Sequence, residues 1–168
     1  MSPEILFPIH LVFGYVAWLL CFGAYIWPRL SAMDPVAAQR AIATFHSFRF
    51  FGLVFILPGV VGPNLPAGFA PFAAYGDFAT GVLAILALMT VRVRWAFWGF
   101  TAAFNLVGLT DILLDYYHAI MLGLPAIAGE LGAAYWIPVL YVPLLVITHA
   151  AAFYLMARRA EVGRPVAA

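Results

Sequence analysis

The stretch ILFPIHLVFGYVAWLLCFGAYIW, residues 5–27, decides the class of fold. It contains no Asp, Glu, Lys or Arg, and it is bounded by Glu4 and by Pro28-Arg29. About 20 apolar residues in helical form cross the hydrocarbon core of a bilayer. This run is long enough for one crossing. No Arg or Lys precedes it, so it lacks the positive n-region of a secretory signal and reads as a retained helix.

The rest of the chain has the same character. Of its 168 residues, 66% are hydrophobic and only 9% are charged, where a soluble domain carries roughly 25% charged residues. So few charges cannot coat a water-facing surface, and the mean hydropathy of +1.02 points to lipid as the solvent. We expect an all-α integral membrane bundle of five transmembrane helices, at about 5–27, 41–61, 72–91, 95–122 and 133–157, forming a single transmembrane domain over 1–168. Asp34-Pro35 suits a helix start, with Asp as cap and Pro in the first turn. The segment from Pro63 to Tyr75 is apolar but broken by Pro and Gly, and it is expected to lie at the interface or dip back as a cap.

The arginines orient the bundle. Arg29 and Arg40 fall in the first link, Arg92 and Arg94 in the third, and Arg158, Arg159 and Arg164 after the last helix. The N-terminus and the second and fourth links contain no Lys or Arg. That alternation is what the positive-inside rule requires for five spans with the N-terminus outside and the C-terminus cytoplasmic. The expected location is the bacterial inner membrane, with the lipid bilayer as partner. A net charge of +1 without a basic patch gives nothing for nucleic acid to bind. The single cysteine, Cys21, cannot form an internal disulfide.

Ionisable residues inside membrane spans are costly and mark function. All four histidines fall in expected spans, together with Arg49, Asp77, Asp111 and Asp115. Only fourteen residues separate Asp77 from Arg92 and sixteen separate Arg94 from Asp111, so both carboxylates are drawn into the bilayer. By depth the histidines sort into an outer pair, His10 with His118, and an inner pair, His46 with His149. Such pairs suit two bis-histidine haems b, with Arg49 facing propionates and Gly14 making room for a ring. Asp111, Asp115 and His118 are spaced four and three apart on one helix face. With Asp77 and His10 at similar depth, they have the ligand types for a divalent metal, His10, Asp111, Asp115 and His118 being the set. The same carboxylates and His118 could instead serve as catalytic acid and base. For Arg49 the alternatives are an ion pair, an anionic head group, or snorkelling to the interface. Trp27, Trp95, Trp98, Tyr135 and Trp136 sit where an aromatic belt belongs, and Asn105 reads as an interhelical hydrogen-bonding residue.

His10, Trp18, the exit Trp27-Pro28-Arg29-Leu30 and Arg49 in the next helix resemble the opening of the membrane proteins grouped with copper-resistance protein D and the haem-dependent membrane protoporphyrinogen oxidase. The resemblance covers about the first fifty residues, and it implies a haem or metal role for His10. In general form the chain is also similar to small sterol isomerases of four or five spans, and as a whole to an uncharacterised bacterial multi-pass family. Three function classes follow. One is a haem-binding redox protein. The second is an intramembrane enzyme or binder of a lipid-like or hydrophobic small molecule, working through Asp77, Asp111, Asp115 and His118. The third is an accessory subunit or proton-coupled carrier. Oligomer formation stays open.

Overall fold

The computed structural model describes residues 2–162, and the described chain is all helical, with no strand. The first helix, α1, runs Pro3–Cys21, continues through a π turn at Phe22–Ile26 and ends as α2, Trp27–Ala32. Then come α3 (Pro35–His46), a 3-10 segment (Ser47–Ile56), α4 (Ala70–Met89) and α5 (Arg94–Met121). A second 3-10 stretch (Leu124–Tyr135) and a π turn (Ile137–Tyr141) lead into α6 (Val142–Val162). Four of these pieces are long and apolar enough to cross a membrane: Pro3–Ala32, Ala70–Met89, Arg94–Met121 and Ile137–Arg159.

The segment expected as the second span differs from the expectation. It begins earlier, at Pro35, where the Asp34 carboxylate accepts from Val36 N and Ala37 N as foreseen. It leaves α-helical geometry at Ser47, inside the bundle. The buried residues of its 3-10 part are Arg49, Gly52 and Phe55, three apart. A 3-10 helix has three residues per turn, so these three stack on one face, whereas an α-helix would rotate them apart. That face lies along α4. Arg49 meets Asp77, Gly52 lies against the Asp77 side chain, and the Phe55 ring packs edge-on to Phe69 at 5.7 Å. Phe48, Phe50 and Phe51 point outward and are exposed. Gly81 of α4 faces the backbone of this segment at Phe50, where a side chain would crowd it.

The last span is bent by its prolines. Pro143 has no N–H to give to the carbonyl one turn back, at Val139. Gly14 of α1 packs against that carbonyl, and a side chain at Gly14 would overlap it. The next carbonyl, Leu140 O, accepts from Trp18 Nε1 at 2.7 Å. Gly14 therefore makes room for a neighbouring backbone, and not for the haem ring expected above.

The apolar stretch after Ile56 stays outside the regular helices as a run of turns up to Phe69. It is tied to the second 3-10 stretch. Gly62 N donates to Glu130 O at 2.7 Å, Ala133 N donates to Val60 O at 3.1 Å, and the Glu130 carboxylate accepts from Asn64 N and Asn64 Nδ2. Two packed regions lie at opposite ends of the bundle. One joins Phe22, Leu30, Ile42, Phe97, Phe104 and Leu144 at the arginine-rich end, and the other joins Phe7, Phe55, Phe69, Leu124 and Leu131 beneath the tied loops.

Candidate functional site

Between these two cores lies a polar layer centred on Arg49, whose side chain has no solvent exposure. Three elements converge on it. From α4, Asp77 Oδ1 accepts from Arg49 Nε at 2.5 Å; from α5, Asp111 Oδ2 accepts from Nη2 at 2.6 Å. Nη1 donates to the Gly108 carbonyl at 3.1 Å and reaches His149 Nε2 of α6 at 3.3 Å. Gly108 is needed for this approach. A side chain there would press on Arg49 Nη1, Thr80 Cγ2 and His149 Nε2.

The hydrogen bonds fix His149 as a neutral tautomer and set Nε2 as the donor of His46. Asn105 donates through Nδ2 to Thr101 O at 2.8 Å, which turns its Oδ1 towards His149 Nδ1, 2.9 Å away. His149 therefore carries its proton on Nδ1 and offers Nε2 as an acceptor to Arg49. Thr148 gives its hydroxyl proton to Leu144 O at 2.8 Å and accepts from His46 Nε2 at 2.9 Å. His46 Nδ1 is left buried and without a partner.

His46 and His149 thus come together as the inner pair foreseen from depth, but in direct contact, with ring centroids 4.1 Å apart. Two axial ligands must stand on opposite faces of a haem with the iron between them. Rings already touching leave no place for it. Arg49 turns neither to propionates nor to the interface. Its partners are Asp77 and Asp111, so of the alternatives for Arg49 the ion pair is the centre of the site.

The outer histidines diverge. His10 is exposed on α1 and shares a hydrogen bond with Tyr135 Oη at 2.8 Å, while the His118 ring packs edge-on to Phe72 at 4.7 Å. Among the described residues no three His, Cys, Asp or Glu side chains converge as metal ligands, so His10, Asp111, Asp115 and His118 are not gathered as a set. Asp115 lies one turn beyond Asp111 on α5, and its Oδ1 is buried without a partner. Asp115, Asp77 and Tyr116 line a cavity of about 40 Å³ under Phe7, Phe55 and Phe69. Tyr116 Oη is 2.8 Å from Tyr15 Oη on α1, while Tyr117 is exposed.

A profile of the family described as a domain of unknown function (DUF8737) matches residues 6–157. The chain belongs to the DUF8737 family. No curated protein and no solved structure matches it. The resemblance of its opening to copper-resistance protein D thus finds no counterpart. The stretch matched to DUF8737 contains every residue of the Arg49 layer, from His46 to His149.

Sequence reasoning picked out each charged member of this layer. It gave Asn105 only a generic role and passed over Thr148 and Gly108. Asn, Gly and Asp at successive three-residue steps are the signal that a full helix-face reading of Asn105, Gly108 and Asp111 would have used.

Proposed function

We propose that this chain is a five-span protein of the bacterial inner membrane, N-terminus outside and C-terminus inside, whose Arg49 layer binds and exchanges a proton within the bilayer. The fifth crossing is α3 continued by the 3-10 segment. Its 22 residues reach about 38 Å at about 1.5 Å per α-helical and about 2.0 Å per 3-10 residue, enough for the hydrocarbon.

One observation carries the proton reading. Two carboxyl groups, Asp77 and Asp111, pair with a single guanidinium, and a third, Asp115, lies one turn beyond Asp111 in the cavity it shares with Asp77. An uncompensated charge in an apolar medium costs several kcal/mol, so carboxyls in excess of the cation neutralise by holding protons. With both imidazoles neutral, the layer has no second cation to offer. The cavity that Asp77 and Asp115 share has room for about two or three waters. That is enough to connect Asp115 with Asp77 and with the Tyr116–Tyr15 pair, and far short of a lipid or sterol. Chains of Asp and His within spans are the usual means of proton relay. The proton-coupled class is therefore favoured over the haem class.

Infrared difference spectroscopy across a pH step on the reconstituted protein tests this. A protonated-carboxyl stretch in a dry environment should appear, titrate, and lose intensity in Asp115→Asn. Absence of any such band across the neutral range overturns the reading.

A further inference from the structure

A second opening reaches the same carboxylates from the side. Between α4 and α5 runs a groove of about 370 Å³, lined by Phe72, Gly76, Leu106, Val107, Thr110, Asp111 and Leu114. Leu106 and Val107 are exposed on the apolar outer face of the bundle, so the groove opens to lipid and not along the bundle axis. Its volume is in the range of small-molecule sites, at roughly 300–1,000 Å³.

Asp111 lies in this groove while 95% buried, being 5% exposed. Its Oδ2 is taken by Arg49, but its Oδ1 is buried and has no partner. Gly76 lies directly against Oδ1, and a side chain there would overlap it. Gly76 closes over Oδ1, so this oxygen is unpartnered at the wall of the groove and not open to it. The charged groups around Asp111 are Arg49 on the 3-10 segment, Asp77 on α4, and Asp115 one turn along its own helix, with neutral His149 of α6 beyond Arg49. Their sum is negative whenever the layer holds fewer than two protons. The occupant that matches this charge and the apolar walls is a lipophilic amine.

We propose that the α4–α5 groove binds the ammonium head of a membrane-dissolved alkyl- or arylalkylamine, which pairs with the Asp111 carboxylate and displaces one proton from the layer. The proposal rests on the proton reading above. The exchange balances: one ammonium cation enters from the lipid, and one proton leaves through the water cavity at Asp115, with no bond other than hydrogen bonds made or broken. The Thr110 hydroxyl stands at the groove as a second acceptor, and Phe72 supplies an aromatic wall of the kind cations prefer.

The test is equilibrium binding of radiolabelled dodecylamine, with dodecanol as the neutral control, to the full-length protein in non-ionic detergent at several pH values. One-for-one exchange makes the affinity for dodecylamine rise about tenfold per pH unit while the layer is protonated. Dodecanol should bind at least tenfold more weakly and without pH dependence. Val107→Trp fills the groove from its exposed wall without touching the Arg49 layer. It should abolish dodecylamine binding and leave the infrared carboxyl band intact, whereas Asp111→Asn should affect both. Equal binding of dodecanol, a pH-independent amine affinity, or a dimer that covers the groove and excludes the amine overturns the proposal. If the band is present and the amine does not bind, this inference fails alone. If the band is absent as well, the proton reading fails with it.

Discussion

An arginine cut off from water needs acceptors for its N–H groups, and Arg49 finds four, through Nε–H to Asp77, both N–H bonds of Nη1 to Gly108 and His149, and Nη2–H to Asp111. Removing one member of a buried ion pair strands the other charge, at about 3–5 kcal/mol. Arg49→Met should therefore lower stability by about that amount, seen as a fall in the thermal midpoint of the detergent-solubilised protein. Combining it with Asp77→Asn and Asp111→Asn should restore most of the loss, because no carboxylate is then left alone. Arg49→Lys should rescue little, since a point charge cannot reach three directions at once. If the triple variant melts no higher than Arg49→Met alone, the layer is not held by charge pairing. The charged members of this site were legible from sequence because each is an anomaly in oil. Their pairing was not. Arg49 lies 28 residues from Asp77 and 62 from Asp111, and only the packing of α4 and α5 on the 3-10 segment brings them together.

The element that makes this geometry is the 3-10 segment Ser47–Ile56, ten residues long where such runs usually stop after about three or four. Its stacked Arg49, Gly52 and Phe55 read α4 as a ladder. Gly52 is the rung that permits contact, because a methyl group there would overlap the Asp77 carboxylate. Gly52→Ala should therefore cost about 1–3 kcal/mol by overpacking and loosen the Arg49–Asp77 pair. The expected signature is a lower melting midpoint together with faster amide exchange over residues 47–56; an unchanged exchange pattern would contradict the ladder. Gly99, which faces open space, is the control and should tolerate Ala. The ends of α4 and α5 fall within two residues of the positions expected from charge spacing, since Asp77, Arg92, Arg94 and Asp111 bracket them. The second and fifth spans were less legible. Hydropathy reports that a stretch is apolar, and it does not distinguish α from 3-10 or π geometry. Beyond Ser47 the 3-10 segment packs closely on α4, Gly52 against the Asp77 side chain and Gly81 against the backbone at Phe50, and such tertiary contacts are not written in hydropathy.

At the scale of the whole molecule, charge divides the bundle into two ends. Arg29 at the end of α2, Arg40 in α3, Arg92 and Arg94 at the α4–α5 link, and Arg158 and Arg159 in α6 lie towards one end, and Glu4 and Glu130 towards the other. The lipid-facing sides between them expose Val12, Phe13, Leu20, Phe48, Leu106 and Leu113. Four helices alone would put residues 64 and 92 on opposite sides just as five do, since α4 lies between them. What separates the counts is the segment 35–56. If it crosses, the link at Met33–Asp34 and the loop at Asn64 lie on opposite sides; if it only lies in the interface, they share one side. Single cysteines at Met33, Asn64 and Arg92, in a Cys21→Ser background, should respond to a membrane-impermeant maleimide accordingly. Asn64 alone should be labelled in right-side-out vesicles, with Met33 and Arg92 labelled only after permeabilisation. Labelling of positions 33 and 64 from the same side would leave Arg49 without a crossing to sit in. It would also remove the low-dielectric setting from which the charge argument draws its force.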